Sequence, residues 1–234
     1  MSFLINPFIY ATSAGGCSGN IISLLNLGGY YKMDGDSSDS SGNSFNGTDT
    51  DMSYGASDVN SNFGDGADFN GTSSFIDCGS HNEFEGSANT ITVACWINSP
   101  NFAGPTHIAS CRSSASDGWR FYMDGSNLAG TIAGTNNSVS ATYATGITYH
   151  VAMTYDGSNL VEYWLDGVSQ GTAAVGSKSL ATTGNLRIGR NHANNGYWNG
   201  QIDDFSIWQR KLTDAEIGDL AAGGSASACP LDTP

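Results

Sequence analysis

Basic residues are scarce in this 234-residue sequence: 8 Lys and Arg stand against 22 Asp and Glu, a formal net charge of −14. Between Lys32 and Arg112 there is no Lys or Arg, and eleven acids from Asp34 to Glu85 fill the interval. Such a stretch repels itself unless salt or a cation screens it. The balance argues against DNA, RNA or an anionic membrane as partner, because each needs neutralising cations. Two readings of the acids stay open: a surface suited to a salty medium, and carboxylates that hold calcium.

Long apolar runs are also missing. No stretch reaches 18 residues, so no membrane-spanning helix is expected. The five cysteines, Cys17, Cys78, Cys95, Cys111 and Cys229, are an odd count without tight spacing, which is neither a disulfide framework nor a zinc site. They are expected as free thiols, with Cys95 a small core residue; Cys17 and Cys229 flank the domain and could pair if the termini meet. The start, "MSFLINPFIYATSAGGC", is apolar enough to imitate a signal peptide, but it lacks a positively charged leader and Pro7 interrupts it. The expectation is an unprocessed start, made in a cytoplasm and kept there or carried out in a particle.

What the sequence does have is a period of two. In "ITYHVAMTYDGSNLVEYWLDG" (147–167), Tyr149, Val151, Met153 and Tyr155 alternate with smaller or polar residues, and Leu160–Leu165 alternates in the same way. Asp156-Gly157 and Asp166-Gly167 mark tight hairpins, because Gly accepts positive φ without steric cost. Asp124-Gly125 repeats the signal after Trp119–Met123. Turns ten residues apart predict an antiparallel sandwich or barrel, and no long helix-period stretch competes. The length suits one large all-β domain with appendages.

Along the chain, residues 1–27 form an apolar arm. Leu4, Ile5, Phe8, Ile9 and Tyr10 pack on the domain or dock on another chain. A strand is predicted at Gly29–Met33, then a long Asp/Ser/Asn/Gly loop over 34–66. Residues 67–79 read as strand, turn at Asn70-Gly71, strand. "TITVACWI" (90–97) alternates, with Ile91, Val93, Cys95 and Ile97 on one face. Further strands are predicted near 107–111, 119–123, 127–132, 168–173, 185–189 and 200–210. Thr213-Asp214-Ala215-Glu216 is a capping box for one short helix with Ile217 and Leu220 facing inward, ended by Gly223-Gly224. Residues 223–234 read as an extended tail.

These pieces stand in a familiar order: "YYKMDGDSSDSSGNSFNGT", "GADFNGTSSFIDCG", "NTITVACWI", "YHVAMTYDG", "YWLDG", "LRIGR" and "NGQIDDFSIWQRKLTDAEIGDL". The sequence over about 28–222 resembles the concanavalin A-like lectin/glucanase superfamily, in its laminin-G-like or pentraxin-like branch. Tyr149 departs from it, where such modules usually have Trp. The resemblance implies a jelly-roll sandwich of two antiparallel sheets with one short C-terminal helix, in a domain that binds carbohydrates or proteins or caps larger assemblies. It also implies one structural Ca2+ held by Asp39 and Asp203, with carbonyls near Asn70 and Gly71 and with Asp204 in reserve. Calcium takes six to eight hard oxygens, which carboxylates and loop carbonyls supply. The competing readings are a side-chain-capped turn at Asp39 and a buried, amide-bonded carboxylate at Asp203. "DGDSSDSSGN" is not an EF-hand, for it lacks the required Gly and Glu.

Because the superfamily includes glucanases, catalysis has to be weighed. Retaining glycosidases need two carboxylates about 5 Å apart, and the sandwich glucanases carry them as Glu-x-Asp-x-Glu, or a one-residue variant, on one strand. No such run is present. Glu83 and Glu85 would point the same way on an extended segment, but "HNEFEGS" looks like a loop, and Asp203 and Asp204 would face opposite sides of a strand. With no Gly-x-Ser-x-Gly elbow and four scattered His, no enzymatic activity is expected. A sugar-binding face is easier to place, since rings stack on pyranoses while Asn and Asp meet hydroxyls. "GRNHANNGYWNG" (189–200) offers His192, Asn194, Asn195, Tyr197 and Trp198, and "SDGWRFYMDG" offers Trp119, Arg120 and Tyr122. Trp96, Trp164 and Trp208 are read as core.

Two functions follow. In the first, "SFLINPFIY" resembles the starts of small phage structural proteins. The chain is then a virion component assembled in the host cytoplasm, fastened to other virion proteins by its arm, oligomeric in that assembly, and decorating the particle or touching host surface glycans. In the second it is a stand-alone secreted carbohydrate-binding lectin module. Neither uses nucleic acid or membrane insertion.

Overall fold

Alternating side chains produce the strands, and two-residue Gly turns return them. The computed structural model describes residues 26–55, 65–102 and 104–222. In chain order the strands are β1 (Leu27–Tyr31), β2 (Thr48–Thr50), β3 (Ser53–Tyr54), β4 (Ala67–Asn70), β5 (Phe75–Asp77), β6 (Thr90–Asn98), β7 (Thr106–Cys111), β8 (Trp119–Asp124), β9 (Asn127–Ile132), β10 (Thr135–Ser140), β11 (Tyr149–Asp156), β12 (Leu160–Leu165), β13 (Val168–Ala174), β14 (Leu186–Ile188) and β15 (Asn199–Trp208). Helix α1 (Asp214–Ala222) follows.

Two antiparallel sheets form a jelly-roll sandwich. One runs β13-β12-β11-β6-β15-β4-β3, with β1 also paired to β15; the other runs β10-β9-β8-β7-β14-β5-β2. Every pairing is antiparallel, which lets short turns join neighbours. Asp166 and Gly167 both have positive φ (48° and 75°) and close the β12–β13 turn between the paired Leu165 and Val168. Asp156 Oδ1 accepts the amides of Ser158, Asn159 and Leu160, fixing the β11–β12 bend. Between the sheets lie Ile91, Val93, Cys95, Ile97, Phe121, Trp119, Trp198 and Phe205, among others.

The structure differs from the sequence reading in four places. The first strand begins earlier, at Leu27, and ends before Met33, which has φ 63°. The 34–66 loop contains β2 and β3. Strands β4 and β5 are not a hairpin: they lie in opposite sheets, and the Asn70 turn carries the chain across. Strand β10 lacks an apolar face in sequence and is returned by Ala133 and Gly134, both at positive φ. Glu83 sits in a 3-10 turn (Asn82–Phe84) capped by Glu85, so the two carboxylates do not share a face of an extended segment. Cys78, Cys95 and Cys111 are buried free thiols, while Cys17, Cys229 and the arm residues Leu4, Ile5, Phe8, Ile9 and Tyr10 lie outside the described residues.

Candidate binding face

The two outer faces of the sandwich differ in chemistry. On the β6–β15 sheet the outer side carries an apolar patch: Tyr30, Ala94, Ala152, Trp164 and Trp208 pack with Leu212 and Ile217, so α1 and the segment before it cover them. The helix is held by its capping box. Thr213 Oγ1 accepts the Glu216 amide at 3.3 Å, and Glu216 Oε2 accepts the Thr213 amide at 2.8 Å. Arg210 donates twice to Glu216, and these bonds hold its carboxyl down at about 2.

On the β8–β7 sheet the outer positions are polar. Register places one residue from each strand in a single transverse row: Asn136, Thr131, Arg120, Ser110, Arg187, Asp77 and Thr48, running from β10 to β2. Adjacent strands are about 4.8 Å apart, so the row is roughly 29 Å long; Thr131 and Ser110 within it are buried, and the Ser110 hydroxyl donates to Arg190 O. Arg120 is its most connected member. Its Nε donates to Thr131 Oγ1 at 2.6 Å, Nη1 to His107 Nε2 at 3.2 Å and Nη2 to Asn136 Oδ1 at 3.2 Å, while Cζ lies 4.6 Å from the Tyr122 ring centre. A bulge at Ile108 sends Ile108 and Ala109 both into the core and leaves His107 beside Tyr122. His107 Nδ1 donates to Gly196 O at 3.2 Å, which leaves Nε2 as acceptor for Arg120. Burial, and then the Arg120 charge, lower its pKa to about 3, so the ring is neutral at pH 7.

Arg187 Nε lies 3.5 Å from Asp77 Oδ2. Beside it, the Arg190 guanidinium stacks 3.5 Å over the Phe75 ring, and Arg190 O accepts the Ser110 hydroxyl at 3.0 Å. Phe75 and Asp77 then line an open groove of about 520 Å³ with Phe45, Asn46, Thr48, Thr50 and His81. Phe45 and His81 stack with ring centres 3.8 Å apart. The groove thus joins aromatic rings to the β2 end of the polar row.

Of the residues singled out for sugar binding, two are elsewhere. Trp198 and Trp119 are fully buried core residues, with Nε1 donating to Gln201 O and Phe84 O respectively. A loop position did not keep Trp198 in solvent, because the loop folds back: Trp198 N donates to Gly189 O, and Gly71 N to Trp198 O. His192 and Tyr197 are half-buried, and Asn194 and Asn195 are exposed. Asn191 orders this loop, accepting from His192 N at 2.8 Å and donating to Asn195 Oδ1 at 3.1 Å. Arg190 Nη1 donates to Asn194 Oδ1, tying the loop to the Arg190–Phe75 stack. Sequence reasoning missed Phe45, Phe75, Asp77, His107 and Arg187. The usable signal was that four of eight cations, Arg112, Arg120, Arg187 and Arg190, fall within or just beyond strands of this one sheet.

The residues assigned to calcium do not converge. Asp39 spends its carboxylate on the amides of Tyr30, Ser41 and Phe45 and the Ser41 hydroxyl. Asn70 Oδ1 accepts from Thr72, Ser73 and Ser74. Asn70 pairs with Asn199, four strand residues or about 13 Å from Asp203, whereas calcium ligands lie about 2.4 Å from the ion. Asp203 accepts the Asp204 amide at 2.8 Å, and Asp204, at positive φ, accepts the Tyr30 hydroxyl at 2.5 Å. Among the described residues, no three His, Cys, Asp or Glu side chains are grouped to hold a metal. Asp39, Asn70, Gly71, Asp203 and Asp204 therefore do not make one coordination shell.

A laminin G family model, described as concanavalin A-like lectin/glucanases superfamily, matches residues 70–218. The chain belongs to this superfamily. No curated protein sequence matches it. Among solved structures, this superfamily member is similar to domain 4 of AbnA, a GH43 extracellular arabinanase from Geobacillus stearothermophilus, solved with arabinotriose. The TM-score is 0.65 at 21% identity, covering 84% of this chain and 98% of that one. It is also similar to the binding domain of Paraclostridial Mosquitocidal Protein 1 (TM-score 0.67, 16% identity, 85% and 52% covered) and to the botulinum neurotoxin type G receptor binding domain (0.64, 15%, 84% and 51%). The chain spans about half of each toxin domain.

Proposed function

We propose that this chain is a non-catalytic, lectin-like module that takes carbohydrate along the polar row of its β8–β7 sheet, with the Phe45–Phe75 groove as the aromatic end. The observation that carries this reading is the union of that row with the groove. Rings suited to the apolar faces of sugars adjoin the half-buried Asp77 and Arg187 and the exposed Thr48, whose carboxylate, guanidinium and hydroxyl suit sugar hydroxyls, while Ser110 and Thr131 farther along the row are buried. On the opposite outer face an apolar patch is packed with α1. Hydrolysis by the retaining route needs two facing carboxylates, and the row holds one, Asp77, which is paired with Arg187. Likeness to an arabinanase domain solved with arabinotriose supports a carbohydrate ligand.

A glycan array probed with the folded protein tests this. Reproducible binding that Phe75→Ala abolishes is expected. Binding to no glycan, with the fold verified by circular dichroism, overturns it.

The setting we propose is a bacteriophage particle, with the arm residues Leu4, Ile5, Phe8, Ile9 and Tyr10 docking the module on another virion protein. The resemblance of residues 2–10 to phage structural proteins supports this. Deleting residues 2–16 should abolish particle incorporation while the fold survives; unchanged incorporation would favour the secreted lectin.

A further inference from the structure

The acidic chain gathers half of its cations around one face. Arg112, Arg120, Arg187 and Arg190 are four of its 8 Lys and Arg, against a net charge of −14. Among the described residues only Arg187 of these four makes an ion pair with a carboxylate, Asp77. Arg120 is held by the neutral partners His107, Thr131 and Asn136; Arg190 by Asn194 and the Phe75 ring; Arg112 donates its Nε to Ser114 O at 2.7 Å. Burial, and then the like charge of Arg120, lower the Arg112 pKa, with Asp117 opposing. Positive charges grouped with fewer carboxylates, Asp77 and Asp117, cost stability, and an anionic ligand would offset that cost.

Arg120 also has the capacity to meet one. A guanidinium carries five donors, and its three described bonds leave one on each Nη. Two such donors match the two oxygens of a carboxylate. Along the row, Arg120 is three strands, or about 14 Å, from Asp77 at the groove, and Ser110 between them is buried, so a ligand that meets both ends is an oligosaccharide rather than a single sugar.

We propose that the ligand is an acidic oligosaccharide, its uronate-type carboxylate bound by Arg120 and a less polar ring lying in the Phe45–Phe75 groove. This rests on the carbohydrate-binding reading above and adds the ligand's charge. The chain's overall negative field would otherwise repel such a ligand, so the preference must come from this local grouping.

Titration calorimetry with the full chain, comparing oligogalacturonate with a neutral arabino-oligosaccharide of equal length, tests it. The acidic sugar should bind about tenfold tighter or better at low salt, as one charge-assisted pair warrants. Arg120→Gln should remove that preference and Arg120→Lys should recover only part of it. Lys178→Gln, which deletes a cation away from the row, should leave it intact. If both sugars bind equally, the acidic-ligand inference fails while the carbohydrate reading stands. If neither binds, the carbohydrate reading itself fails. An equal loss of preference in Lys178→Gln would assign it to net charge rather than to Arg120 and overturn the inference. Sulfate added as a competitor, at fixed ionic strength, should leave binding of the acidic sugar intact; displacement of the sugar would assign the face to simple anions and overturn the inference.

Discussion

Arg120 and Arg187 stand in one transverse row of the β8–β7 sheet, on either side of Ser110. They are two strands, or about 10 Å, apart. The first is held by neutral partners and the second by Asp77, so the row carries charge at one end and a neutralised pair at the other.

Aromatic substitutions should separate core from binding face. Phe75→Ala should weaken oligosaccharide binding in calorimetry while changing the melting temperature little, because Phe75 is only half-buried. Trp198→Ala should cost about 3–5 kcal/mol in urea unfolding, the range for emptying a large aromatic site in a core. If Trp198→Ala were stable and deficient only in binding, the placement of that ring would be wrong.

Asp204 should make stability fall as pH rises. Burial raises its pKa from 3.8 to about 7, with Asp34 adding to the rise and Tyr30 and Lys32 opposing it. A carboxyl with a raised folded pKa contributes fully below its unfolded value, and the contribution is lost as pH climbs through the folded one. Stability from this group should therefore decline between about pH 4 and pH 7. Asp204→Asn keeps a residue tolerant of positive φ and should flatten that slope in pH-dependent urea titrations.

Glu216 should behave in the opposite sense. Its pKa is lowered from 4.5 to about 2, chiefly by the Arg210 bonds, so its contribution is present above pH 4.5 and is lost as pH falls toward 2. Thr213→Ala, which removes the side-chain cap, should cost about 1 kcal/mol at pH 7, measured by thermal unfolding.

Calcium should not matter to the described domain. The melting temperature in calcium and in EDTA should agree to within about 1 °C, since a ligand at a hundred times its Kd would add about 2.7 kcal/mol and shift it by several degrees. A larger rise in calcium would require ligands other than the set Asp39, Asn70, Gly71, Asp203 and Asp204.

By itself the sequence determined most of the strands, their turns and the helix, because these follow from local chemistry. Alternation of Ile91, Val93, Cys95 and Ile97 marks a strand wherever that strand lies; Asp166-Gly167 turns because Gly accepts positive φ; Thr213 and Glu216 cap each other three residues apart. Strand β10 was illegible because its residues alternate polar with polar, and Ala133 gives no turn signal. Only the tertiary structure decided that β4 and β5 part into different sheets, that Trp198 turns inward, and that residues as distant as Thr48 and Arg187 share one row. The reason is physical. A side chain's face along its own strand follows from a period of two, but its neighbours across the sheet follow from register, which the whole core sets by burying one face of every strand at once.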